Sequence, residues 1–202
     1  MRYVIGFLLV TFCGFRAFAD EDYVPLAVGN HWTMTVTSTT SKGQVANGTY
    51  HEEAAGTVKK GGHRYFAMEQ WVKWNLPNQK IADVKSAKHI TLVRKTTTAY
   101  YSTEKTKKGL VEGVIYRLPL KSGASWDVNW PSRRRKITVL GKESVKVSGQ
   151  TYKDCYHVRI AYQNGTLKNI WLAPGIGRVL VKDVFPDGQK ISFALTQFKA
   201  GK

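Results

Sequence analysis

Tyr156-His157-Val158-Arg159-Ile160-Ala161-Tyr162-Gln163-Asn164-Gly165-Thr166-Leu167-Lys168-Asn169-Ile170-Trp171-Leu172 decides the fold. Successive side chains on a strand point to opposite faces. Tyr156, Val158, Ile160 and Tyr162 therefore share one face, and His157, Arg159 and Ala161 share the other. Asn164-Gly165 tolerates positive φ at both residues and supplies a hairpin turn. Residues 167–172 return, and Ala173-Pro174-Gly175-Ile176-Gly177 breaks the strand. Residues 178–185 run out again, Pro186-Asp187-Gly188 turns, and 189–198 closes an antiparallel meander. Upstream, 32–37, 64–74, 90–93 and 114–116 read as further strands, with a tight turn at 58–62. Asn47-Gly48-Thr49 reads as one more Asn-Gly turn. The best helix candidate, 78–88, is short and interrupted by Asp83 and Ser86. The expected fold is all-β: a curved antiparallel sheet or half-barrel.

Two phrases occur twice in the same order. Pro25-Leu26-Ala27-Val28-Gly29-Asn30-His31-Trp32 and Pro119-Leu120-Lys121-Ser122-Gly123-Ala124-Ser125-Trp126 both read P-L-x-x-G-x-x-W. Val58-Lys59-Lys60-Gly61-Gly62-His63-Arg64-Tyr65 and Val145-Lys146-Val147-Ser148-Gly149-Gln150-Thr151-Tyr152 both read V-K-x-x-G-x-x-Y. The expectation is one domain, 20–202, built from related halves at about 23–115 and 117–202.

Arg2, an apolar run over 4–15 and Ala17-Phe18-Ala19 ahead of Asp20-Glu21-Asp22 form the pattern of a secretory signal peptide over 1–19. Phe12 before Cys13 argues against a lipid anchor, because a small residue is wanted there. The expected address is exported, periplasmic or extracellular. Beyond Cys13 only Cys155 remains, so no internal disulfide forms and stability rests on packing. The formal charge is +17, unevenly spread. Residues 20–56 hold one Lys against five acids, and 57–108 hold twelve basic residues against three acids. Such a surplus attracts anionic lipid or other envelope polyanions, or keeps an exported surface solvated.

Val24-Pro25-Leu26-x-x-Gly29-Asn30-x-Trp32, Val147-Ser148-Gly149-Gln150-Thr151-Tyr152-Lys153-Asp154-Cys155-Tyr156-His157-Val158 and Trp171-Leu172-Ala173-Pro174-Gly175-Ile176-Gly177-Arg178-Val179 resemble a family of bacterial exported proteins and lipoproteins, the DUF3108-like, TapB-like group. The resemblance implies a curved antiparallel sheet similar to the half-barrels of periplasmic lipoprotein carriers. It implies no catalytic residues. The chain departs from the group in its poor lipoprotein cysteine and its basic balance.

Candidate chemistry is sparse. Cys155 and His157 lie two apart, but no orienting group or oxyanion donor accompanies them. The five histidines show no metal-ligand spacing, and neither a metal nor a cofactor is expected. Asp127 beside Trp126 is the one carboxylate to inspect for hydrolysis. Arg133-Arg134-Arg135-Lys136 is the sharpest charge run and suits a grip on phosphates. Trp130 and the repeated Trp32 and Trp126 anchor a core or line a ligand pocket. The candidate ligand-binding residues are therefore Trp32, Trp126, Trp130, Arg133, Arg134, Arg135 and Lys136. The leading expectation is a non-enzymatic envelope protein that binds a lipid-like or other hydrophobic or anionic ligand. A structural or interaction module docking on an envelope protein is the alternative, and a cryptic hydrolase the third reading. No nucleic-acid motif is present, and a dedicated nucleic-acid partner is not expected.

Overall fold

The computed structural model describes residues 22–75, 84–107, 109–130 and 134–201. The signal-like segment with Cys13, most of the helix candidate and Arg133 lie outside them. The described chain forms thirteen strands and, within those residues, no helix. The first half holds β1 (His31–Thr39), β2 (Val45–Lys60), β3 (His63–Asn75), β4 (Val84–Lys85), β5 (His89–Lys95), β6 (Ala99–Thr106) and β7 (Gly109–Arg117). The second holds β8 (Ser125–Asn129), β9 (Arg134–Val147), β10 (Gln150–Tyr162), β11 (Leu167–Ala173), β12 (Gly177–Val184) and β13 (Lys190–Lys199).

All pairings are antiparallel, in the order β7-β6-β5-β3-β2-β1-β13-β12-β11-β10-β9-β8, with the short β4 on β3. The sheet curls further than a half-barrel and nearly closes, bringing its first and last strands together. Trp130, just past β8, is pressed onto Gly113 of β7: a Cβ built there would lie 1.5 Å from the indole nitrogen. Glycine is what lets the tryptophan lie flat over the seam.

The alternation read around Asn164-Gly165 holds. Val158 and Ile160 are buried, Arg159 is exposed, and Gly165 takes φ +84 at the turn into β11. The turn expected at Asn47-Gly48-Thr49 does not form. These residues lie inside β2, where Gly48 faces Trp74 so closely that a Cβ would meet the Lys73 carbonyl at 2.5 Å. The glycine there serves a close approach of two backbones rather than a positive φ. Of the helix candidate, Val84–Lys85 is strand β4.

The interior is packed from both halves. One buried cluster gathers Ile137, Val139, Val158, Ile170, Leu172 and Tyr116 with Trp126; the other gathers Trp32, Met34, Ala54, Met68, Val179 and Leu195. Phe193 and Tyr100 pack against both.

Candidate functional site

The packing leaves a cavity of about 640 Å³ in the barrel interior, within the ~300–1,000 Å³ of small-molecule sites. Met68, Val93, Ile115, Ile160, Ile170 and Leu172 give it apolar walls. Residues 23–26 line it from the N-terminal side. The segment from Asp22 on is tied to β5 by Lys95 Nζ, which bonds Asp22 Oδ1 at 2.5 Å and the Val24 carbonyl at 3.3 Å. It is tied to the β11–β12 turn by the Gly175 amide, which donates to the Asp22 carbonyl at 2.8 Å. Tyr23 sinks into the core and donates to the Asp154 carbonyl at 3.1 Å.

Charged groups also enter the interior, most of them with partners. Buried Glu52 accepts from Arg178, and from Gln70 at 3.0 Å. Lys168 meets Asp183 at 3.2 Å. Burial pushes the Asp183 carboxyl above its ordinary value, and Lys168 and Arg178 only partly counter it. Tyr100 and Tyr116 pair across β6 and β7 with ring centroids 5.7 Å apart. Burial drives both phenols well above their usual range, so they stay protonated donors at any physiological pH.

The sequence-predicted residues divide. Trp32, Trp130 and Arg135 line the cavity. Trp126 does not; it is core in the second half, with Arg117 5.8 Å from its ring centroid. The basic run is split by the pleat of β9: Arg135 turns inward, while Arg134 and Lys136 are exposed. The Arg135 guanidinium carbon lies 4.1 Å from the Trp130 ring centroid and 5.9 Å from that of Tyr162. Its Nε and Nη2 are buried and have no hydrogen-bond partner among the described residues. Glu104 Oε2, also buried and partnerless, belongs to a residue lining the same cavity. Sequence reading missed Glu104 and Tyr100, because β6 is rich in Ser, Thr, Glu and Lys and carries no clear alternation, and it took Tyr116 only as part of the strand at 114–116.

The other chemistry disperses. Cys155 is fully buried, and burial first, with Asp154 and Glu143 nearby, pushes its thiol up to about 11. His157 instead lies flat on Trp171, with its ring nitrogens at Asn169 (2.9 Å) and Glu143 (3.1 Å). Asp127 is exposed on β8. No group of three metal-ligating side chains occurs among the described residues.

No family model matches the chain, and no curated protein matches it. Solved structures do. An exported protein described as having a YmcC-like fold, from Bacteroides fragilis, superposes with a TM-score of 0.53 over 87% of this chain and 98% of its own, at 11% identity. The two share a fold. A lipoprotein from Parabacteroides distasonis aligns at a TM-score of 0.48 and 11% identity, over 89% of this chain and 99% of its own.

Proposed function

We propose that the barrel interior binds a lipid-like ligand in the bacterial envelope, with no chemical turnover. The cavity carries this reading. Its apolar stretches suit an acyl chain, and the charged side chains beside them, Glu52, Glu104, Arg135, Lys168 and Arg178, suit a polar head group. The signal-like pattern over 1–19 and the fold shared with a protein described as exported support the envelope as its place of action. The outward basic residues, Arg134, Lys136 and Arg159 among them, suit an anionic surroundings such as lipid headgroups.

The test is native mass spectrometry of protein purified without detergent, beside a variant with a filled cavity. Ser102 lines the cavity, so Ser102→Trp occupies it. The expected result is an added mass released by organic solvent from the native protein and absent from the variant. A clean mass for the native protein, unchanged after incubation with envelope lipids, sinks the proposal and moves the role to docking on an envelope protein.

A further inference from the structure

Arg135 is the interior cation whose buried donors have no acceptor among the described residues, and Glu104, which lines the same cavity, also keeps a buried oxygen without a partner. Arg178 has Glu52, and Lys168 has Asp183. Arg135 has aromatic faces, Trp130 at 4.1 Å and Tyr162 at 5.9 Å, but its Nε and Nη2 have no acceptor among the described residues. Those two nitrogens form one edge of the guanidinium plane. Their N–H bonds run side by side, spaced to meet the two oxygens of a carboxylate.

The same protein shows that edge filled elsewhere. Arg94 Nε donates to Glu112 Oε2 at 2.6 Å and Arg94 Nη2 to Glu112 Oε1 at 2.5 Å, while the guanidinium lies over Tyr101 with its carbon 3.9 Å from the ring centroid. An arginine stacked on an aromatic ring holds a carboxylate by that edge. Arg135 repeats the stack and the edge, and the place of the carboxylate is the cavity. A buried, unpartnered donor on a cation costs free energy that a bound anion returns.

We infer that the cavity takes a long-chain fatty acid, its carboxylate held by Arg135 Nε and Nη2 and its chain laid along the apolar walls. The inference rests on the reading of the cavity as a ligand site and names the head group that site selects. Stacking on Trp130 fixes the guanidinium plane, so the fork is set before the ligand arrives. The phenols of Tyr100 and Tyr116 stay protonated, and of the carboxylates that line the cavity Glu52 is held by Arg178 and Gln70, while Glu104 keeps one oxygen without a partner among the described residues.

Calorimetry on the delipidated full chain tests this with palmitate, methyl palmitate, hexadecyl phosphate and acetate, each against native protein, Arg135→Gln and Arg135→Lys. The expected result is palmitate bound at least tenfold more tightly than its methyl ester by the native protein. Arg135→Gln should erase that preference, and Arg135→Lys should recover only part of it. Equal binding of palmitate and ester overturns the carboxylate assignment and leaves the apolar cavity standing. A tighter hexadecyl phosphate replaces carboxylate by phosphate and also overturns it. Acetate as tight as palmitate removes the chain from the account. Binding of none of the lipids sinks the ligand site itself. A preference that survives in Arg135→Gln removes Arg135. If the variants do not fold, the head-group comparison on native protein decides alone.

Discussion

The two halves of the barrel open identically and then part company. In the first, the Gly29 amide donates to the Ala54 carbonyl at 2.8 Å, the Ala54 amide to the Asn30 carbonyl at 2.9 Å, and the Asn30 amide to the Ala27 carbonyl at 3.1 Å. In the second, Gly123, Val139, Ala124 and Lys121 make the same three bonds at 2.7, 2.9 and 3.1 Å. The long hairpins that follow share a register shift, between Ala54 and Gly56 in one and between Val139 and Gly141 in the other. Both turn on two positive-φ residues, Gly61-Gly62 and Ser148-Gly149. The difference lies in what faces inward. The residue paired with Trp32 is Glu52; the residue paired with Trp126 is Ile137. Two positions on, the first half has Tyr50 opposite Met34, and the second has Arg135 opposite Val128. One scaffold thus carries two interiors, and the cavity opens where they disagree.

The strongest way to break the comparison is at Glu52. Arg178→Ala leaves a buried carboxylate with only Gln70, and removing one partner of a buried pair costs ~3–5 kcal/mol. Chemical denaturation should show a loss of that size at neutral pH. The double change Glu52→Ile with Arg178→Met gives the first half the second half's choice. It should restore stability to near the native value, since apolar replacement of a buried pair is often neutral or better. A double variant as unstable as Arg178→Ala would mean that the pair, rather than its isolation, supports the fold.

The ion pairs of the two halves differ as well. The first half ties β5 to β7 through Arg94 and Glu112, with the Tyr65 hydroxyl donating to Glu112 Oε2 at 2.8 Å. The second half pairs Lys168 with Asp183, and its Glu143, beside His157, is 50% exposed. Burial raises the Glu112 carboxyl, but the hydrogen bonds from Arg94 and Tyr65 outweigh it and hold it below its ordinary 4.5. A depressed folded value adds stability that is present above the unfolded value and lost as pH falls through the folded one. Unfolding free energy should therefore fall as pH drops below about 4.5. Glu112→Gln should cost ~1–3 kcal/mol at neutral pH and flatten that acid limb. An acid limb that survives in Glu112→Gln would show that it belongs to other carboxylates.

What was legible in the sequence follows from how each residue acts. The all-β class and the meander could be read because turn glycines and period-two alternation act locally. Asn47-Gly48 misled, since the glycine's small size is used against Trp74, a neighbour brought there by β3. Trp130 and Arg135 could be named as candidates, but the side Arg135 faces depends on the register of β9, and a one-residue slip would turn it outward. The pairing of Glu52 with Arg178 could not be read at all, because 125 residues of chain separate them and only the closing sheet brings them together.

The smallest effect separates the two phrase tryptophans. Both are almost wholly buried, Trp32 5% and Trp126 6% exposed, so truncation to Phe removes similar packing from each. Their indole N–H groups differ. Trp32 Nε1 donates to the Ile176 carbonyl at 2.6 Å, whereas Trp126 Nε1 has no partner among the described residues. A neutral hydrogen bond contributes ~0.5–1.5 kcal/mol net, and an unpaired buried donor is a standing cost that truncation relieves. Trp32→Phe should therefore lose ~1–2 kcal/mol more stability than Trp126→Phe in matched denaturation experiments. The order matters more than the size, because packing terms largely cancel in the difference. Equal losses would mean that Trp126 finds an acceptor in solution, and the second half would then match the first at its anchor as well as in its backbone.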